Sequence, residues 1–97
     1  MENVEELTGL AREVEKILKE ELQKGNIQPD FAEARVYNAK SIGVQGDQRT
    51  YTYPAEITLL SKGSFIWEPK FLSNLSNRIT NEIKDINRVV YVTAMKN

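Results

Sequence analysis

Along the first quarter of the chain, apolar residues return every three or four positions. Val4, Leu7, Ala11, Val14, Leu18 and Leu22 form one stripe, which Leu10 and Ile17 widen. This spacing predicts an amphipathic helix over residues 3–24 that packs on a core. Asn3 with Glu6 three residues on fits a capping signal, and Gly25-Asn26 a stop. Glu15 and Lys19 stand at i,i+4 spacing on the polar side.

After a polar connection holding Pro29, the period falls to two. Ala32, Ala34, Val36, Ile42 and Val44 share one side of a predicted strand, with Glu33, Arg35 and Tyr37 on the other. Gly46-Asp47 signals a turn. A second strand follows over about 50–61, with Tyr51, Tyr53, Ala55, Ile57 and Leu59 on one side. The two form a hairpin. Pro54 brings no ladder N–H and marks an edge or a bulge. Lys62-Gly63-Ser64 breaks the strand, and Pro69 suits a first helical turn. Leu72, Leu75, Ile79 and Ile83 then carry a second helix to about Lys84. Asp85-Ile86-Asn87 ends it, and residues 88–94 read as a short strand. The order is α-β-β-α-β. It predicts one small two-layer α+β domain over residues 1–97, a three-stranded sheet with helices on one face. The Tyr51/Tyr53/Ile57/Leu59 stripe either lies under these helices or meets a partner.

Composition narrows the chemistry. The 97 residues suffice for one modest core. There is no cysteine, so disulfides and thiolate metal sites are excluded. There is no histidine, which removes the commonest neutral-pH proton carrier and zinc ligand. A formal net charge of -1 offers no overall field for nucleic acid or anionic membrane. The acidic start lacks an apolar signal core, and no apolar run is long enough to span a bilayer. Met1 and the capped first helix fit a natural start. Asp47 and Glu56 sit in an exposed hairpin without an apolar pocket, so they do not form an acid–base pair. Trp67 is expected to pack in the core or at its rim rather than to stack on a base. Arg78 reads as helix-surface hydrogen bonding and Asn87 as a turn into a strand.

The densest unusual stretch runs from Lys40 to Tyr51. Gly43 and Gly46 allow close backbone approach, and Arg49 near a rigid hairpin tip can bind phosphate bidentately. An ordinary Gly-Asp turn, with Arg49 solvated or paired with Asp47, is the alternative.

Ser41-Ile42-Gly43-Val44-Gln45-Gly46-Asp47-Gln48-Arg49-Thr50-Tyr51 resembles the signature of the C-terminal dimerisation domain of GMP synthetase. Leu75 to Ile83 and Ile86 to Tyr91 match the same family in order. The resemblance covers residues 30–96, and the preceding helix also fits. It implies a dimerising, XMP-contacting module of the enzyme that converts XMP to GMP, without catalysis of its own. The ATP- and Mg-using synthetase chemistry and the glutaminase chemistry belong to two other domains that this sequence does not include. The family's arginine expected at the XMP phosphate, in the partner's site, corresponds to Arg49, and its nucleotide-contacting lysine to Lys96. Gly43, Gly46 and Asp47 support the loop. The implied partners are a second copy and a separate ATP-pyrophosphatase subunit, and the implied location is the cytoplasm. The sequence departs from the family in ending at Asn97, before a Pro-Pro turn and a Thr-Ile-Glu-Trp-Glu tail. Phe31 stands where the family usually has a nucleotide-contacting glutamine, with Gln28 nearby, and Thr58 where it usually has arginine. The segment 61–68 is shorter than the family's. These departures motivate a second reading, a free-standing regulator or scaffold without nucleotide contact. A third, a small RNA-binding module, rests on element order alone, and the chain has neither the paired exposed aromatics of an RNA-recognition motif nor a basic excess.

Overall fold

The structure is a computed structural model that describes residues 4–37, 41–45 and 48–94. Of residues 4, 5, 41–45 and 48–51 the backbone alone is described. Helix α1 (Val4–Lys24) leads into β1 (Phe31–Val36), β2 (Ser41–Gln45), β3 (Gln48–Ser61) and β4 (Ser64–Phe65). Helix α2 (Pro69–Glu82) and β5 (Ile86–Tyr91) complete the chain. The expected α+β fold is observed, and the described residues form five strands in its sheet instead of three. The first predicted strand divides into β1 and β2, and β4 is a two-residue addition.

Every other strand pairs with β3. β1, β2 and β4 run antiparallel to it, and β5 parallel. The division of the first strand is a register step. Tyr37 N donates to Pro54 O, whereas Ser41 lies opposite Thr52. The chain thus advances four residues on one side against two on the other. A single alternation cannot hold through such a step.

Pro54 lies within β3, where its missing N–H needs an irregular partner. The bulge expected for it is present: Tyr53 pairs with Ile86 but Pro54 with Arg88, so the β5 register shifts there. β5 also begins two residues earlier than the sequence suggests. Ile86 is 1% exposed and belongs to the core, and Tyr53 N donates to Asp85 O at 2.9 Å. Burial of Ile86 therefore recruits into the sheet a residue assigned to a turn.

The core lies between the helices and one sheet face. α1 contributes Leu10, Val14, Ile17, Leu18 and Leu22, and α2 Leu75 and Ile79. From β3 come Tyr53, Ala55, Ile57 and Leu59, all buried. The described part of the apolar stripe of the second strand, Tyr53, Ile57 and Leu59, therefore lies beneath the chain's own helices; the side chain of Tyr51 lies outside what is described. Tyr91 closes one end of this layer. Its hydroxyl donates to the Ile66 carbonyl, and burial raises its pKa. No helix among the described residues is long and apolar enough to cross a membrane.

Local chemistry ends the elements. Asn26 takes φ 55° just past α1. Ile27 N donates to Leu22 O at 2.9 Å and Asn26 N to Gln23 O at 3.1 Å, the two bonds of a Schellman stop. Pro69 opens α2 as expected, and Glu68 makes no side-chain cap. Between β3 and β4, Lys62 and Gly63 have φ 54° and 79°, the pair of positive values a two-residue hairpin turn needs. Lys62 N donates to Asp30 Oδ2 at 2.7 Å. A lysine is strained in this conformation, where asparagine is tolerated. Lys62→Asn keeps the backbone donor and is expected to raise the unfolding free energy by about 0.5–1 kcal/mol. Urea unfolding checks this, and a lower midpoint would contradict it.

Candidate functional site

Two features of the sheet bear on function, the β2–β3 hairpin and the face opposite the helices. In the hairpin, Gln45 pairs with Gln48, which leaves two residues between the strands. Arg49 lies opposite Val44, one residue from that closing pair, and Gly43 lies opposite Thr50. Gly46, Asp47 and Lys96 lie outside the described residues. The hairpin thus carries Arg49 on a strand close to its end. Among the described residues no group of three acidic side chains is arranged to hold a metal ion.

The second feature was not singled out in the sequence. Both helices pack on the face that holds Tyr53, Ala55, Ile57 and Leu59. No helix among the described residues covers the other face. Phe31 and Tyr37 stand on it 44% and 40% exposed, with Val90 at 39%. Between these apolar positions lie charges. Arg35 Nε is 3.3 Å from Glu33 Oε2, and Arg35 pairs across the ladder with Glu56. The signal was present as Phe31-x-Glu33-x-Arg35-x-Tyr37, a polar strand face with aromatic ends. Its meaning depended on which face the helices take.

Trp67 is 68% exposed, so it is not a core residue. Its neighbour Ile66 packs inward and anchors the segment, with Ile66 N donating to Leu59 O at 3.2 Å.

Arg78, read as a helix-surface residue, bridges the two helices. Its Nη2 is 2.5 Å from Glu20 Oε1 and its Nη1 3.0 Å from Glu21 Oε2, while Nε donates to Glu82 Oε2 at 2.7 Å. The i,i+4 pair with Glu82 was legible, but the α1 carboxylates lie 57 and 58 residues away in sequence. Hydrogen bonds to the three carboxylates raise the Arg78 pKa, and the bond from Arg78 lowers that of Glu20. A groove of ≈ 200 Å³ beside it is lined by Glu13, Lys16, Glu20 and Glu82.

A model of the GMP synthase C-terminal domain matches residues 15–97. The chain belongs to this family. It is 37% identical over 103 residues to the glutamine-hydrolyzing GMP synthase of Fusobacterium nucleatum subsp. nucleatum, an alignment that covers 98% of this chain and 20% of the relative. The corresponding enzyme of Borrelia garinii subsp. bavariensis is 38% identical with the same coverage. That of Crocosphaera subtropica is 36% identical over 94 residues, covering 89% of this chain and 17% of the relative. The chain therefore spans about a fifth of the length of the curated relatives it matches. The expected family is established over both helices and the whole sheet, including the hairpin that carries Arg49.

Proposed function

We propose that this chain is the module through which a GMP synthase pairs its protomers and supplies a cation to XMP. The observation that carries this reading is the open sheet face, in a chain of the GMP synthase C-terminal family. Solvated faces of antiparallel sheets are usually polar, whereas this one keeps large apolar residues exposed at several positions. A second copy would cover them. Arg49, close to the end of the β2–β3 hairpin, would then reach the phosphate of XMP held in the partner's site. A guanidinium on a hairpin suits a phosphate dianion, which takes two parallel hydrogen bonds from it. Lys96 would add a second cation, with Gly43, Gly46 and Asp47 shaping the loop. The chain performs no reaction by itself. ATP and Mg bind a separate synthetase unit, and the module works in the cytoplasm.

Sedimentation equilibrium with and without XMP, on this chain and on Arg49→Ala, tests both parts. The expected result is a dimer that XMP tightens, with the tightening lost in the variant. A monomer at high micromolar concentration, still monomeric when the synthetase unit is added, would refute the pairing. A dimer indifferent to XMP even with that unit present would refute the phosphate role.

A further inference from the structure

Along β3 the peptide groups alternate between its neighbours. Tyr53 N donates to Asp85 O, Val92 N to Ile57 O and Ile66 N to Leu59 O, so the odd-numbered residues bond toward β5 and β4. Tyr37 N donates to Pro54 O, so the even-numbered residues bond toward β1. In a strand the N–H and C=O of one residue point to one side, and those of the next residue to the other. β3 runs unbroken from Gln48 to Ser61, so the alternation continues into the hairpin. There Gln48 and Thr50, opposite Gln45 and Gly43, turn their peptide groups toward β2. Arg49 and Tyr51 turn theirs away from it. β5 begins opposite Tyr53, and no described strand lies beside Gln48 to Tyr51 on that side. The peptide groups of Arg49 and Tyr51 therefore form a short strand edge.

This edge belongs to a two-stranded ribbon. Arg49 stands about 13 Å beyond Tyr53, four residues at about 3.3 Å each. Among the described strands only β2 accompanies it there. Two strands alone are marginally stable in water. That is a weak support for a guanidinium that must hold a phosphate in a fixed geometry.

We propose that an extended segment of the synthetase unit adds to β3 along Gln48 to Tyr51, as a third strand on the side away from β2. The inference rests on the phosphate role proposed above for Arg49 and names the contact that positions it. The curated relatives are about five times as long as this chain, so the neighbour to be met is the remainder of the enzyme. A phosphate held by Arg49 lies within one side chain's length of this edge. The wall of the site that holds XMP therefore comes alongside these peptide groups. The second copy proposed for the open face meets side chains, and leaves this row of donors and acceptors free. Main-chain pairing asks of the added segment an extended backbone, whatever its side chains. The outer edge of β2 stands a strand spacing of about 4.8 Å farther from Arg49, which favours the β3 edge.

Amide hydrogen exchange, read residue by residue by NMR on this chain, tests the proposal. In the isolated chain Thr50 is expected to be protected by β2, and Arg49 and Tyr51 to exchange freely. Adding the synthetase unit with XMP is expected to slow Arg49 and Tyr51 about tenfold or more. A second measurement uses two variants. Tyr51→Pro removes an outward donor and spares the bonds to β2, and is expected to weaken binding of the synthetase unit about tenfold. Tyr51→Ala keeps that donor and is expected to bind more tightly than Tyr51→Pro. Equal losses in the two variants would assign the effect to the ring and overturn the added strand. So would a complex in which Arg49 and Tyr51 still exchange freely, or in which Ile42 and Val44 of β2 are slowed instead. Protection of Arg49 and Tyr51 in the isolated chain would give the edge to the second copy and overturn the proposal as well. In each of these cases the phosphate role of Arg49 stands. Failure of the synthetase unit and XMP to bind at all would overturn that role, and the added strand with it.

Discussion

Ile57→Ala is expected to remove about 3–4 kcal/mol of stability, the range for truncating a fully buried isoleucine. Ile57 is 0% exposed, at the middle of the strand that every other strand joins. It pairs with Ala34 on β1 and Tyr91 on β5, and its carbonyl accepts from Val92 N at 3.0 Å. Neighbours held on both sides by ladder hydrogen bonds have little freedom to collapse into the space left by the lost carbons. That rigidity places the cost above the simple transfer term. Domains of this size are stable by about 5–15 kcal/mol, so the loss is a large share of the total. The melting temperature should fall by about 12–24 °C. Urea unfolding should show a lower midpoint at an unchanged slope. A loss below about 1 kcal/mol would mean that the helices close over the site, and would contradict a core held rigid from both sides.

Arg78→Met should lower the melting temperature by several degrees at neutral pH and low salt. The substitution keeps the aliphatic stem and removes the only cation bonded to Glu20, Glu21 and Glu82 together among the described ion pairs. Three carboxylates contributed by two helices would then repel one another across the α1–α2 contact. The pH dependence has a definite sign. Glu20 has a lowered pKa in the folded chain because Arg78 hydrogen-bonds it. A carboxylate of this kind adds stability above its unfolded value of 4.5, and that stability is lost as pH falls through the depressed folded value. The difference between the two chains should therefore hold from pH 7 to about 5 and shrink below 4.5. Added salt should also narrow it. A difference that is constant between pH 7 and 3 would show that Arg78 acts through packing alone. Melts followed by circular dichroism over this range separate the two cases.

The two variants probe different layers of one arrangement. The central strand holds the sheet together, and the arginine holds one helix to the other above it. Both helices are committed to a single sheet face, and this leaves the opposite face for the second copy proposed above.

Much of this was legible in the sequence. The apolar stripe of α1, its stop at Gly25-Asn26, Pro69 at the start of α2 and the alternation from Tyr53 to Leu59 are local patterns, and local geometry enforces them. The family was also legible, because the stretch from Ser41 to Tyr51 and the two later runs keep their residue types in order. The register step between β1 and β2 was not, since it depends on how two strands pair and not on either alone. The same holds for Ile86, whose burial comes from the fold around it and overrides its turn-like flanks, and for the exposure of Trp67.

For the candidate site, the sequence by itself determined which residues carry charge, which are apolar and where Arg49 stands in the hairpin. Only the tertiary structure decided which sheet face stays open. Either face of a strand with period two can be the buried one until the helices pack, because alternation defines two faces without ranking them. Once α1 and α2 cover Tyr53, Ala55, Ile57 and Leu59, the strand positions of Phe31, Glu33, Arg35 and Tyr37 become a surface. The bond between Arg78 and the carboxylates of α1 likewise waits on the packing of two helices distant in sequence, since an ion pair between them needs a fixed geometry that only the assembled core provides.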